Sequence, residues 1–267
     1  MTNHHIITLY YPPTEKAKQF YDSLSDQDIH FVNAGSLKDY STDDWVKEHV
    51  EFETSSKDNI AELNPHFCEL TTIYYAWKNL APSWNDDDVV QHSHYRKFLL
   101  SPYKQGTVQT PRPYPMIFLN PATKLVERTT IEGGMKICHP LPSWEAMEKV
   151  VKEMGDWRTC YDFDRWKALN QMPHPINIWR MPVKTFKQYC EWLFPRAFAI
   201  DRLIPYDNEE YRTSYQRRSL SFLGERLLSY WVWAKHENGE IETEDADWTL
   251  LDNSKPITDL EERRMKI

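Results

Sequence analysis

The sequence predicts an α/β protein, and two stretches carry this prediction. Residues 5–11 form a compact β-prone run that two prolines stop, and they predict the first strand. Residues 64–98 predict a helix, then an acidic turn, then a strand. The helix has one buried face because apolar residues recur at spacings of three and four. These residues are Phe67, Leu70, Tyr74 and Trp77.

The first third of the chain adds further elements in order. Residues 15–24 predict a helix, and residues 29–33 predict a second short strand. Residues 36–59 are acidic and polar, which indicates a loop with short helical pieces. Asn64 is then suited to cap the central helix, and Pro65 fits its first position.

The central stretch ends in polar side chains. Residues 82–88 break the helix, and Val89 begins a strand on which His92 and His94 share one face. Tyr95, Arg96 and Lys97 close this strand. Ligands of α/β enzymes bind beyond the carboxyl ends of strands, so a site is expected here.

The second half contains helices separated by short connections. Residues 101–115 hold four prolines and predict a surface loop, residues 132–134 a turn, and the chain from Glu240 a polar surface segment with a frayed end. Pro195 is expected to end or kink the helix that contains it. The remaining predicted elements are strands at 116–119, 125–129 and 176–181 and helices at 144–153 (capped by Ser143), 157–169, 185–193 and 219–236.

Composition limits the function. With 267 residues the chain is expected to form a single domain, and its net charge of −8 argues against a nucleic-acid partner. Aromatic residues reach 14%, which suits sugar binding and core packing alike. No apolar run is long enough to span a membrane, and no signal peptide opens the chain, so a cytoplasmic protein is predicted. Reduced, buried thiols are expected for Cys68, Cys138, Cys160 and Cys190.

Two motifs resemble the glycosyltransferase family of bacterial capsular-polysaccharide gene clusters. That family has a Cys-Glu-Leu-Thr helix ending in Trp-Lys-Asn, followed by a strand ending in His-Tyr-Arg-Arg-Tyr-Phe. The corresponding stretches here are ELTTIYYAWKN (69–79) and SHYRKF (93–98). Lys97 stands in place of the second arginine, and Phe98 follows it with no tyrosine between.

Two later stretches resemble the same family in the same order. Residues 177–194 are similar to its Asn-Met-Phe strand and Tyr-Cys-Glu-Trp-Leu-Phe helix, and residues 221–233 to its Phe-Leu-x-Glu-Arg-Leu-Leu helix. The resemblance implies a single-domain GT-A-like fold, with a central mixed sheet flanked by helices. It would occupy residues 1–240, with 241–267 as an acidic tail of the same domain.

The resemblance implies transfer of a hexose-type sugar from a nucleotide-sugar donor, a UDP-sugar in the first instance. The acceptor would be a glycan or lipid-linked glycan of a surface polysaccharide, reached by peripheral association with a membrane. No metal ligand is assigned, and whether Mn²⁺ or Mg²⁺ takes part stays open.

Residue roles follow from the resemblance and from the chemistry of a departing diphosphate. Arg96 would contact phosphate in a forked geometry, aided by His94, Tyr95 and Lys97. Glu69 would hold a hydroxyl of the donor sugar. Further candidates for donor binding are Tyr10, Tyr11, Gly35, Lys78, Asn79, Asn177 and Arg226.

Glu225 is a second candidate for contact with the sugar or the acceptor, and it is the candidate base if the reaction inverts the anomeric carbon. It lies on an apolar helix surface, so it needs a partner, which is Arg226, another arginine nearby or a sugar hydroxyl.

Three alternatives compete with these assignments. Asp162 and Asp164 form a DXD motif, but their surroundings favour the start of a helix over a metal site. A zinc hydrolase would use His92 and His94 with His139 or His174. A carbohydrate-binding protein without catalysis would use the aromatic residues alone.

Overall fold

The computed structural model describes residues 1–24, 27–35, 43–120 and 123–251. Within them, nine strands form one mixed sheet: β1 Asn3–Leu9, β2 Asp28–Asn33, β3 Val50–Glu51, β4 Val89–His94, β5 Lys97–Leu99, β6 Thr107–Pro111, β11 Trp179–Pro182, β12 Glu242–Ala246 and β13 Trp248–Leu250. The main path of this sheet runs β12-β6-β11-β4-β1-β2-β3, with β5 and β13 attached beside β4.

The remaining elements are mostly helices. Four small strands are β7 Tyr114–Pro115, β8 Ile117–Leu119, β9 Val126–Arg128 and β10 Gln171–Met172. They form two separate two-stranded sheets, β7 with β10 and β8 with β9. The helices are α1 Glu15–Asp22, α2 Asp44–His49, α3 Asn64–Phe67, α4 Leu70–Tyr75, α5 Ile131–Cys138, α6 Leu141–Glu153, α7 Trp157–Lys167, α8 Val183–Asp201, α9 Ser214–Arg217 and α10 Ser219–Glu237.

Helices cover both faces of the sheet because successive residues of a strand point to opposite sides. On β1, Ile6 packs into a large core shared with α4, α6, α7, α8 and α10. Ile7, its neighbour, packs into a smaller core with α1 and α2. The prediction of an α/β fold with a mixed sheet flanked by helices is therefore confirmed.

Strands β1, β2 and β4 run parallel, so their carboxyl ends meet at one edge of the sheet. Strand β11 runs antiparallel to β4, and the residues just before it reach the same edge. Four segments distant in sequence thus converge there, and this edge is called the carboxyl edge below.

The central helix differs from its prediction. It breaks after α3 because Cys68 adopts φ 47° and ψ −125°, and it resumes as α4 before widening into a π-helix at Ala76–Leu80. Asn64 lies inside α3 rather than capping it. Its side chain donates instead to the carbonyl oxygen of Cys68 and the hydroxyl of Thr71, at 3.1 Å each.

Three further element predictions were wrong. Residues 132–134 lie within α5, because Thr130 caps that helix by accepting from the backbone N–H of Gly133 at 3.0 Å. Pro195 does not end helix α8, which continues to Asp201 because its apolar face stays buried on both sides of the proline. Residues 101–115 contain β6, whose side chains are mostly polar although all are buried, so it shows no alternation.

The C-terminal segment was expected to be surface structure with a frayed end. Its described part lies at the surface as expected, with most residues partly or fully exposed, and it forms two strands, β12 pairing parallel with β6 and β13 antiparallel with β5. Residues 252–267 lie outside the described residues, as do 36–42 of the predicted acidic loop.

Two smaller findings bear on the sequence predictions. None of the helices in the described part of the chain has both the length and the apolar character needed to cross a membrane. All four cysteines are free thiols, but only Cys68 and Cys190 are buried, whereas Cys138 is exposed.

Gly35, which follows β2 at the carboxyl edge, has no room for a side chain. Its φ is +63°, and a Cβ atom there would lie 2.2 Å from Oδ1 of Asn64. Asn64 cannot easily swing away because its amide makes the two hydrogen bonds described above.

We expect Gly35→Ala to lower the free energy of unfolding by about 2–4 kcal/mol, since backbone strain and overpacking add. Gly106→Ala is the matched control. Gly106 has φ +80° but open space around it, so only the strain of about 1–2 kcal/mol applies. Urea denaturation of both variants measures the difference, and equal losses would show that the contact with Asn64 is unimportant.

Candidate functional site

The candidate site lies at the carboxyl edge and is built around the buried side chain of Glu69, which is 7% exposed. Three groups from different parts of the chain donate to its carboxylate. Tyr10 and Ser221 donate their hydroxyls to Oε2 at 3.2 and 3.1 Å. The amide of Asn177 donates to Oε1 at 3.5 Å. Ionised carboxyl groups are stable in a protein interior when they are hydrogen-bonded in this way.

The backbone break at Cys68 places Glu69 in this position. A cysteine with positive φ is an unusual conformation for a residue with a side chain, and such residues cluster at functional sites. The thiol of Cys68 accepts a hydrogen bond from Nε of Arg218 at 3.0 Å. Arg218 therefore lies beside the start of α4, and it immediately precedes α10, the helix that carries Ser221.

Asn177 is held by a second strained segment. His174 and Ile176 both have positive φ, at 49° and 64°. His92, on β4, donates its Nδ1–H to the carbonyl oxygen of Asn177 at 2.7 Å, while its Nε2 accepts from the hydroxyl of Thr8 at 2.9 Å. The core of the sheet thus fixes the backbone that presents Asn177 to Glu69.

The polar end of β4 lies next to Tyr10. The rings of His94 and Tyr10 are 5.2 Å apart, and those of His94 and Tyr95 are 4.5 Å apart. The guanidinium of Arg96 lies 4.8 Å from the centre of the Tyr95 ring. Nδ1 of His94 is buried and makes no hydrogen bond with any described residue. Lys97 begins β5 directly after this turn.

Burial and neighbouring charges set the protonation of the site. Burial, with the positive charges of Lys97 and Arg96 nearby, lowers the pKa of His94 well below its ordinary value, so its imidazole is neutral at physiological pH. Burial, together with the charge of Glu69, raises the pKa of Tyr10 well above its ordinary value. Tyr10 therefore keeps its proton and donates a hydrogen bond to Oε2 of Glu69.

Glu225 faces the same region from α10, and its side chain is 23% exposed. Burial raises its pKa, and Glu69 adds to this effect, while Arg226, Lys97 and Arg218 oppose it. Nη1 of Arg226 lies 2.9 Å from Oε2 of Glu225. Arg226 is thus the structural partner that a carboxylate on this helix requires.

Three other predicted residues are less closely tied to Glu69. Tyr11 is exposed, with its ring 6.1 Å from that of Tyr95. The ammonium of Lys78 lies 3.6 Å from the centre of the Trp77 ring. The amide of Asn79 donates to carbonyl oxygens of Asp58 and Tyr75, which braces the preceding loop. Donor binding by these residues stays a prediction.

The two aspartates of the DXD motif lie in the middle of α7 and face different partners. Asp162 is buried near Arg158 and Arg165, with ion-pair distances of 4.0 and 3.8 Å. Asp164 pairs with Lys152 at 2.8 Å. The helical interpretation is therefore confirmed. The helix begins at Trp157, so the two aspartates lie in its middle and not at its start.

The zinc site considered for the hydrolase alternative is not formed by the described residues. Both ring nitrogens of His92 bond within the core, and Nδ1 of His174 pairs with the hydroxyl of Thr110 at 2.7 Å. His139 stacks on Phe222, with ring centres 4.3 Å apart. These histidines and His94 do not converge on a common point.

Arg218, Ser221 and Glu53 belong to the site although the sequence alone did not single them out for it. Glu53 is fully buried, accepts from the hydroxyl of Thr71 at 2.8 Å, and leaves its Oε2 without a hydrogen bond among the described residues. The same Thr71 hydroxyl contacts the carbonyl oxygen of Cys68. An acid in an otherwise polar loop gives no sequence pattern that would reveal such burial.

Comparisons with known proteins bear on the fold and the family. A family model described as "Domain of unknown function (DUF4422)" matches residues 18–237. The chain is similar to the apo structure of WbbM, described as a bifunctional glycosyltransferase, with a TM-score of 0.70 and 16% identity. The match covers 96% of this chain and 46% of the WbbM chain, so this chain spans about half of that length. At this identity the likeness shows a shared fold. No curated protein matches the chain.

The buried carboxyl of Glu53 predicts a pH dependence of stability. Burial raises its pKa to about 8 from the ordinary 4.5, despite the hydrogen bond from Thr71. Between these values the unfolded chain ionises Glu53 while the folded protein keeps it protonated. The contribution of Glu53 to the free energy of unfolding is therefore greatest below about pH 4.5. This contribution falls by roughly 3–5 kcal/mol as the pH rises to 8.

We expect Glu53→Gln to remove this decline, because glutamine cannot ionise. The measurement is the free energy of unfolding from pH 5 to 9, taken as the difference between the natural protein and the variant. Glu209→Gln, at an exposed position, serves as control and leaves the slope unchanged. If the free energy of unfolding of Glu53→Gln fell with pH as steeply as that of the natural protein, the pH dependence would come from other groups.

Proposed function

We propose that this chain, a member of the family described as domain of unknown function DUF4422, is a glycosyltransferase that uses a nucleotide-sugar donor, in the first instance a UDP-sugar. The acceptor would be a glycan or lipid-linked glycan of a surface polysaccharide. The observation that carries the proposal is the buried, three-fold hydrogen-bonded Glu69 beside a group of cationic side chains at the carboxyl edge. The fold shared with WbbM supports it.

The cationic group suits the departing diphosphate. Sugar transfer releases a nucleoside diphosphate, and preorganised positive groups stabilise the charge that develops on it. The candidates are Arg96, in the turn after β4, Lys97, at the start of β5, and Arg218, just before α10. Arg96 can offer two parallel N–H donors to phosphate oxygens, which the point charge of a lysine cannot do.

Glu69 has spare capacity to accept a sugar hydroxyl. Each oxygen of an ionised carboxylate has two lone pairs. Oε2 already accepts from Tyr10 and Ser221, whereas Oε1 has only the long contact from Asn177 at 3.5 Å. A hydroxyl of the donor sugar would occupy the remaining positions on Oε1. The three existing bonds would hold the carboxylate in orientation for it.

Glu225 is the proposed base in an inverting transfer. Its raised pKa makes it a stronger base than an ordinary carboxylate, and its partial exposure leaves it open to an acceptor hydroxyl. Arg226 would keep it ionised by opposing the effect of burial. A neutral His94 would add a hydrogen-bonding group to the donor pocket without adding charge.

The first test is a thermal-shift panel of nucleotides and nucleotide sugars, with and without Mn²⁺. We expect UDP or a UDP-sugar to raise the melting temperature in the absence of metal, since the proposed diphosphate site is made of side chains. A ligand at about 100 times its dissociation constant stabilises by about 2.7 kcal/mol. Stabilisation by glycans with no response to any nucleotide would favour a carbohydrate-binding protein and count against the transferase.

The second test concerns Arg96. We expect Arg96→Ala to lower kcat by about 100- to 1,000-fold, as the loss of a preorganised donor to a transition state does. Arg96→Lys keeps the charge but loses the forked geometry, so it is expected to recover only part of the rate. Asp164→Asn is the control, and full activity there with loss in Arg96→Ala would separate the proposed site from the DXD motif. Normal rates in Arg96→Ala would refute the assignment.

A further inference from the structure

A cluster of metal-ligating side chains lies at the opposite edge of the sheet, where β1 and β2 begin. Nδ1 of His4 is 2.8 Å from Oδ2 of Asp28, and Nε2 of His30 is 3.2 Å from the same oxygen. The three potential ligand atoms all lie within 4.8 Å of one another. Two ligands of a tetrahedral zinc ion are about 3.3 Å apart when each bond is about 2.0 Å, so little movement is needed to hold one.

The second nitrogen of each ring faces another carboxylate. Nδ1 of His30 lies 2.8 Å from Oε1 of Glu51, on β3. Nε2 of His4 lies 3.5 Å from Oδ2 of Asp88, just before β4. Metal-binding histidines are typically oriented by a carboxylate on the nitrogen that does not bind the metal. This arrangement therefore has both the inner ligands and the outer partners of a metal site.

The surroundings hold the ligands in place while leaving one side open. His4 is 6% exposed and stacks on Trp84, with ring centres 4.2 Å apart and planes at 9°. Asp28 has a side chain that is 49% exposed, so water can reach the site. A bound ion would have room for a water molecule as its fourth ligand.

We propose that His4, Asp28 and His30 bind a zinc ion that ties the amino ends of β1 and β2 together. Glu51 and Asp88 act as positioning residues that orient the two imidazoles. When the ion binds, it takes the place of the hydrogen bonds to Asp28, and Nδ1–H of His30 keeps its bond to Glu51. The site is separate from the carboxyl edge, so the proposal does not depend on the glycosyltransferase activity.

Cobalt(II) is the direct probe, because it replaces zinc and absorbs visible light strongly in a tetrahedral site. The full chain, freed of metal by a chelator and of any histidine tag, is titrated with Co²⁺ and then with Zn²⁺. We expect one Co²⁺ to bind per chain with an intense visible band that Zn²⁺ abolishes, and Zn²⁺ to raise the melting temperature. Absence of the band together with an unchanged melting temperature would overturn the proposal.

Four variants locate the ion. Asp28→Asn and His30→Gln are expected to lose the cobalt band, and Glu51→Gln to weaken binding by about 10- to 100-fold while keeping the band. The control is His66→Gln, since His66 pairs with Asp201 at 3.1 Å in a comparable His–Asp contact away from this cluster. Circular dichroism of each metal-free variant checks that it folds. Binding that survives in both Asp28→Asn and His30→Gln would place the ion elsewhere and refute the site.

Discussion

A buried carboxylate needs hydrogen-bond donors, and the site at the carboxyl edge depends on how Glu69 obtains them. Tyr10 follows β1, Asn177 precedes β11 and Ser221 lies on α10, so three separate segments must reach one side chain. The break at Cys68 points the carboxylate toward them. Removing any of these segments would leave a charge in the interior without adequate partners, which costs several kcal/mol.

The carboxyl ends and the amino ends of the parallel strands in the central sheet have different chemistry. At the carboxyl edge, Arg96, Lys97 and Arg218 surround acids, so the edge suits an anionic ligand. At the other edge, the imidazoles of His4 and His30 face carboxylates, which suits a cation. The parallel arrangement of β1, β2 and β4 produces this separation, because it places the beginnings of three strands together and their ends together.

Much of the fold could be predicted from the sequence because strands β1, β2 and β4 and the long helices have clear local patterns. Glu69 could be singled out as well, since an acid within an apolar helical stretch needs a special environment. Arg218 could not, because it meets Cys68 across 150 residues of sequence, and only the folded chain brings them together. The positive φ of Cys68 could not be predicted either, because it depends on tertiary contacts and not on a local sequence preference. The polar strand β6 lacked the alternation on which strand prediction rests.

The position of β12 affects how the protein reaches its native state. β12 pairs with β6, and Gln109 contacts Glu244 across 135 residues of sequence. During synthesis on a ribosome, the side of β6 that pairs with β12 would therefore stay unpaired until almost all described residues had been synthesised. Contacts of such long range slow folding, and an unpaired strand edge invites association with other chains. Expression of this protein should accordingly benefit from lower temperature or chaperones, which protect that edge until the last strands arrive.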